Sequence, residues 1–219
     1  PAVNKILPEI SSEYLFLLNM DLRLDNNCVK NLLNGFNSDY FSIDAKSTDF
    51  KNKPVHGKHI KAFKGFFDTL FLSYRIYNDF ESERTETYYS CAAHMLINTE
   101  KLRKIGGFPD NFFLEWEDYY VCRKAKNLFG WSSIYEPSAE CRHLVGGAIE
   151  KNVLPEKVFE KIKARRTFNY FRNSLISIFL FNKTSVFLGT FLNYSFILPI
   201  KSFLKFNFRK LFSLEKATL

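Results

Sequence analysis

An α/β fold is the class this sequence predicts, and three observations carry it. Residues 14–18 are an unbroken apolar run, Tyr-Leu-Phe-Leu-Leu, stopped by Asn19-Met20-Asp21. A second stretch rich in small and apolar residues spans 87–98, and between 116 and 129 apolar residues recur at helical spacing. Short apolar runs bounded by polar residues fit buried strands of a parallel sheet, and the 3.6-residue period fits an amphipathic helix beside it.

Taken in order, 14–18 is a strand whose polar end projects at the carboxyl edge of the sheet, where open α/β sheets bind ligands. Residues 27–36 predict a short helix. Residues 44–64 are polar and Lys-rich, contain Pro54 and Gly57, and predict a long loop. Residues 87–98 form the next buried strand. Glu100 to Ile105 makes a helical turn closed by Gly106-Gly107, which supply a left-handed C-cap at little steric cost. From Trp116 to Phe129, Tyr119, Val121, Cys122, Ala125 and Leu128 mark the buried face of a helix that ends at Gly130. A strand at 131–135 and a turn at Pro137 lead to His143. Residues 156–181 predict a basic, aromatic helix. The apolar run 185–200 is shorter than the ~20 residues a spanning helix needs.

With 219 residues the chain can bury one core and append a helical tail. Its formal charge of +8 is unevenly spread. Residues 1–150 hold 18 Lys/Arg and 20 Asp/Glu, whereas 151–219 hold 13 Lys/Arg and 3 Asp/Glu. The expected organisation is a catalytic domain at 1–150 and a basic, aromatic helical tail at 151–219. Four cysteines without a CxxC pair favour a reduced, cytosol-facing compartment. No signal peptide is visible. The chain begins at Pro1, as removal of an initiator Met or loss of an upstream segment would explain.

Chemistry concentrates in Asn111-Phe112-Phe113-Leu114-Glu115-Trp116-Glu117-Asp118, followed later by Arg142-His143. Burying part of an ionised carboxylate costs several kcal/mol unless a cation or hydrogen bonds compensate it. Glu117 and Asp118 open a helix, where acids are common for structural reasons. The aromatics around them also desolvate them, which raises a carboxylate pKa and sharpens it as a base. Asp21 is placed either to bind a hard divalent cation through oxygen or merely to cap the next turn. His143 alone is most simply structural. His56, His59 and His94 have no acidic partner nearby in sequence.

In order, Leu-Leu-Asn-Met-Asp at 17–21, Ile-Gly-Gly-Phe at 105–108, Phe-Phe-Leu-Glu-Trp-Glu-Asp at 112–118, Gly130-Trp131, Pro137 and His143 resemble the family-2 glycosyltransferases. More narrowly, they resemble the bacterial rhamnosyltransferase and galactofuranosyltransferase-like branch. The match covers roughly 1–150, and Tyr170-Phe171-Arg172-Asn173 is similar to a Y-x-R-N segment that follows the catalytic domain there.

The resemblance implies a partial GT-A domain, Rossmann-like, with a helical carboxyl-terminal extension. It implies metal-assisted, inverting transfer of a glycosyl unit from a nucleotide-sugar donor to a glycan or lipid-linked acceptor, in cell-surface polysaccharide synthesis. Asn19 and Asp21 would occupy the family's D-x-D position, with Asp21 on Mn²⁺ or Mg²⁺ and His143 a further ligand. Asp118 would be the base, with Glu117 beside it. Trp116, Phe113, Asn19 and Arg172 would contact substrate.

Two departures stand out. Asn19 replaces the first Asp of D-x-D, and Phe108-Pro109-Asp110 replaces F-D-E. The segment Pro1 to Glu13 resembles the helix that feeds the D-x-D strand, so the resemblance implies the carboxyl-terminal part of such an enzyme, expected to lack most of the nucleotide-base pocket. Such a chain is expected to bind donor poorly alone, with a sheet strand left exposed.

For the basic tail the readings are an anionic membrane surface, nucleic acid, or packing on the catalytic domain. Membrane association combined with packing is favoured, because a run as apolar as 185–200 makes a poor nucleic-acid surface. That places the protein in the cytoplasm, peripheral to the inner face of the plasma membrane, with no nucleic-acid partner. The alternatives are a non-catalytic remnant that binds membrane or a partner enzyme, and a metal-dependent hydrolase using Asp21, Asp118 and His143.

Overall fold

The computed structural model describes residues 2–56, 58–59, 66–71, 78–79, 83–112, 114–144 and 155–200. Within them the protein is mixed α/β. It divides into a larger unit, Pro1–Ala62 with Ile76–Ser177, and a smaller one, Phe63–Arg75 with Ile178–Leu219. The chain passes from the larger unit to the smaller one after Ser177.

In the larger unit, α1 (Ala2–Ile6) and a 3₁₀ turn (Leu7–Glu9) precede β1 (Tyr14–Leu18), β2 (Leu22–Leu24), α2 (Cys28–Gly35) and β3 (Tyr40–Thr48). The short strands β4 (Pro54–His56) and β5 (Lys58–His59) follow. Helix α3 (Phe66–Phe71) belongs to the smaller unit. The larger unit resumes with β6 (Asn78–Asp79), β7 (Thr85–Thr87), β8 (His94–Asn98), α4 (Thr99–Lys104), α5 (Glu117–Phe129) and β9 (Ser132–His143). Helix α6 (Glu156–Phe181) spans the division, and α7 (Thr184–Leu192) with a π-helical stretch at Asn193–Ile197 lies in the smaller unit.

The main sheet has the order β1-β8-β3-β9-β2, with β4 added to β3 and β7 to β9. Among the described residues, only β3 and β9 run parallel in this sheet. The parallel, buried position expected for 14–18 is therefore corrected. β1 is an edge strand antiparallel to β8, with Tyr14 opposite Asn98 and Leu18 opposite His94, and Tyr14–Leu17 are half-buried. An apolar run reports covered faces; strand direction and rank come from partners elsewhere in the chain.

The loop expected at 44–64 is corrected as well. Residues 44–48 continue β3 through the core, where Ile43 and Ala45 have no exposure. Lys46 is tolerated there because its ammonium reaches the Glu140 carboxylate at 2.8 Å. The polar turn is confined to the residues after Thr48: Asp49 Oδ1 accepts from the Lys51 and Lys53 N–H groups at 2.8 and 2.7 Å. Gly57 and 60–64 lie outside the described residues.

Pro137 does not end its strand. β9 continues to His143 through a bulge: Ala45 faces Glu136, and the next β3 residue, Lys46, faces Glu140. A bulge is where a strand accommodates a residue that cannot donate to the ladder. The consequence is positional, since the extended β9 delivers His143 to the sheet end.

Two apolar layers flank the sheet. One joins Phe41, Met95 and Ile97 to Leu102, Ile105, Val121 and Ala125 of the α4–α5 side. The other joins Ile43, Leu96, Ile134 and Cys141 to Cys28 and Leu32 of α2. α4 ends as expected at Gly106 and Gly107, whose φ values are +81° and +72°. Asn4 secures that turn from α1, donating to Phe108 O at 2.7 Å and accepting from Phe108 N–H at 2.9 Å. All four cysteines are free thiols, three of them buried. In the smaller unit α3 and α7 meet across Gly189, where an added Cβ would fall 2.4 Å from Phe66 O.

Candidate active site

Chain direction explains why polar residues gather at one end of the main sheet. β1, β3 and β9 all finish there, because β8 runs against β1 and β3 while β9 runs with β3. The segment Asn19–Asp21 crosses this end from edge strand β1 to the opposite edge strand β2. Its path is held at both sides: Asn19 N–H donates to Ala93 O and Leu144 N–H donates to Asp21 O, each at 2.9 Å. The Asn19 side chain is exposed.

The crossing brings Asp21 to His143, which pairs across the ladder with Leu22. Asp21 Oδ1 lies 3.2 Å from His143 Nε2, with the histidine side chain 7% exposed and the aspartate 19%. Among the described residues no group of three or more His, Cys, Asp or Glu is arranged to hold a metal ion. Asp21 and His143 are two such groups, and they pair with each other.

Glu117 and Asp118 are the first two residues of α5. Asp118 Oδ1 accepts from Tyr119 N–H at 2.7 Å and Oδ2 from Ala92 N–H at 3.3 Å. The preceding amide, Cys91 N–H, donates to Asp44 Oδ2 at 3.0 Å. Successive amides of one turn therefore hold two carboxyl groups, and the same turn holds Asn19 through Ala93 O.

Burial pushes Asp118 up to about 6, opposed by hydrogen bonds from Tyr119 and Ala92. It pushes Glu117 up to about 7, aided by the charge of Asp118. Asp44, without exposure, lies well above the usual carboxylate range, chiefly through desolvation, and its Oδ1 meets no hydrogen-bond partner among the described residues.

Asp44 is the member of this cluster that sequence reasoning missed. Its signal was present: a lone acid in Ser42-Ile43-Asp44-Ala45 alternates with small and apolar residues as a buried strand does. The lysines and Pro54 further along masked it.

The turn entering α5 is unusual. Leu114, Glu115 and Trp116 have φ of 58°, 70° and 71°, three consecutive non-glycine residues in the left-handed region. That conformation costs roughly 1–2 kcal/mol per residue. Contacts from α6 face it. Asn173 Nδ2 donates to Leu114 O at 3.1 Å and to Glu115 O at 2.8 Å, and Arg166 Nη2 lies 2.7 Å from Glu115 Oε1.

Trp116 packs on Tyr119 and Tyr170 with centroids 4.8 and 5.8 Å apart. Arg172 Nη2 donates to Asn111 O at 2.7 Å, and its Nε donates to Asn173 Oδ1 at 2.9 Å. Phe113 lies outside the described residues. Asp110, which stands in the altered F-P-D segment, accepts from Asn4 Nδ2 at 2.9 Å.

Thus Asp21 meets His143 and Glu117 adjoins Asp118, while Trp116 and Arg172 are tied into the α5–α6 contact. Two shallow clefts of about 360 and 430 Å³ lie beside β2 and β9, sharing Asp25 and Glu140. Neither is lined by Asp21, His143, Glu117 or Asp118.

No family model matches the sequence, and no curated protein matches it. Among solved structures, the chain is similar to A197 from STIV, with 15% identity and a TM-score of 0.43 over 66% of this chain and 64% of that one. It is also similar to the mannosyltransferase PcManGT from Pyrobaculum calidifontis, solved in complex with GDP-Man and Mn²⁺, with 14% identity and a TM-score of 0.48 over 87% of this chain. The chain spans about half, 48%, of that mannosyltransferase's length.

Proposed function

We propose that this chain carries the acceptor-activating and metal-binding side of a GT-A-type glycosyltransferase. In this reading it moves a sugar from a nucleotide-sugar donor to a glycan or lipid-linked acceptor. One observation supports the reading above the others: the chain crossing at Asn19–Asp21 pairs Asp21 with His143, and the turn it touches also holds Asp118. Asp21 and His143 would hold Mn²⁺ or Mg²⁺. Such a cation, when bound, offsets the charge that builds on a departing diphosphate.

Asp118 serves as the base. Its carboxylate takes the acceptor hydroxyl proton while the hydroxyl oxygen bonds to the anomeric carbon. The bond from that carbon to the diphosphate oxygen breaks, and the electron pair leaves with the diphosphate. A base opposite the leaving group makes this a single displacement with inversion. Trp116 walls the sugar or acceptor pocket, and Asn19 presents its exposed amide at the donor side.

The test is glycosyl transfer from labelled nucleotide sugars with Mn²⁺, comparing wild type with Asp118→Asn. Loss of a positioned base lowers kcat by about 10²–10⁴-fold. Undiminished transfer by Asp118→Asn would refute the base assignment. Absence of transfer by the wild type at saturating donor would leave the non-catalytic binding module as the better account.

A second feature favours a membrane surface as partner. In the smaller unit Phe179, Phe187 and Phe191 form a ladder with centroids 5.2 and 6.2 Å apart, and Phe179 and Phe191 are 62% and 45% exposed. No helix among the described residues is long and apolar enough to cross a membrane. Interfacial docking beside anionic headgroups suits exposed aromatics on a tail this basic. Vesicles containing phosphatidylglycerol should carry the protein in flotation, and Phe179→Ser with Phe191→Ser should weaken this. Equal flotation of the double variant would count against the aromatic face.

A further inference from the structure

We infer that Asn173, assisted by Arg166, is a positioning residue that clamps the left-handed turn before α5 and thereby fixes Glu117 and Asp118. The inference rests on the glycosyltransferase reading for its catalytic consequence, whereas the clamp itself is a statement about geometry.

Three consecutive left-handed residues do not persist on local preference, since only glycine, and to a lesser degree Asn and Asp, visits that region readily. Leu114, Glu115 and Trp116 have none of those side chains, so the surrounding structure must impose the conformation. The carbonyls of Leu114 and Glu115 both point at one donor, the Asn173 carboxamide, at 3.1 and 2.8 Å. Asn173 has no solvent exposure, and its own Oδ1 is occupied by Arg172 Nε at 2.9 Å. A buried carboxamide with both ends engaged can adopt only one orientation, which suits it to hold a backbone in place.

Arg166 lies seven residues earlier, on the same face of α6. Its Nε and Nη2 both reach Glu115 Oε1, at 3.0 and 2.7 Å. Between them on that face, Tyr170 supports the Trp116 ring. One stripe of α6, at i, i+4 and i+7, therefore contacts a side chain or carbonyl of every left-handed residue.

Past Trp116 the chain enters α5 at once, with Tyr120 N–H closing the first helical bond on Trp116 O at 3.0 Å. A change in the turn is passed directly to the two acids. Misplacement of a catalytic group by about 1 Å can cost 10²-fold in rate.

The test uses Asn173→Asp, which keeps size, shape and the Arg172 contact but removes the two donated hydrogen bonds. With Trp131→Phe as background, Trp116 is the sole tryptophan and its emission reports the turn. Asn173→Asp is expected to shift that emission to the red and to speed amide exchange at Glu117–Tyr120, with exchange in β8 unchanged. Kinetically, kcat should fall by at least about tenfold while the donor KM moves less than twofold.

Arg166→Gln, on a half-exposed side chain, is expected to give a smaller shift of the same sign. It decides the matter if Asn173→Asp does not fold. Unchanged Trp116 emission and unchanged local exchange overturn the clamp, whatever the activity. Altered emission in a protein whose wild type shows no transfer at saturating donor upholds the clamp and defeats the glycosyltransferase reading.

Discussion

Asp118 sits where two effects oppose one another. The first turn of α5 and two donated amides favour its charge, whereas desolvation disfavours it, and desolvation prevails because its carboxyl rises to about 6. A base must be ionised to accept a proton. Transfer should therefore be lost as pH falls through about 6 and approach its plateau above about 7, where Glu117 also ionises. A pH profile of kcat/KM that stays flat between pH 5 and 8, by order-of-magnitude expectation, would exclude Asp118 as the essential base.

Asp44 bears on stability. Its folded pKa is raised, so the folded protein keeps a proton that the unfolded chain releases above about pH 4. The associated stability is full below that value and is lost as pH rises toward the folded pKa. Asp44→Asn keeps the shape and removes this cost. Its melting temperature should rise at neutral pH by roughly 2–4 °C for each kcal/mol recovered, with no gain near pH 4, as calorimetry at the two pH values would show.

At the scale of elements, helices were more legible than strands. α5 and α2 lie within a residue of their expected bounds, because an amphipathic period and a glycine stop are local signals. The strands depended on partners. β3 was hidden by Lys46, whose ammonium pairs with Glu140 of β9, and β9 was cut short by Pro137, whose bulge forms against β3.

The turn after α4 combines both kinds of signal. Gly106-Gly107 announced it, yet the contact that makes Gly107 irreplaceable comes from α1, since an added Cβ would lie 2.5 Å from Asn4 Oδ1. Gly107→Ala should cost about 1–3 kcal/mol through strain and displacement of Asn4, measured by urea unfolding. A loss below about 0.5 kcal/mol, the range of ordinary surface changes, would show that Asn4 moves aside freely.

Over the whole molecule, the site exists only because distant segments finish at one sheet end. Asp21 and His143 meet through the β2–β9 pairing, so a ligand that uses both stabilises the folded sheet and not the unfolded chain. Mn²⁺ with a nucleoside diphosphate, supplied at about 100 times its dissociation constant, should add about 2.7 kcal/mol to stability. Asp21→Asn should abolish that rise in melting temperature. An equal rise in the variant would place the cation elsewhere.

The sequence by itself determined the α/β class, the helices with their glycine stops, and the candidate acids, because these follow from short-range period and from residue types costly to bury. Only the tertiary structure decided that β1 lies at an edge, that Asp44 joins Asp118 on successive amides, and that α6 faces the strained turn. Those facts are set by strand order and long-range hydrogen bonds, which no local pattern along the chain encodes.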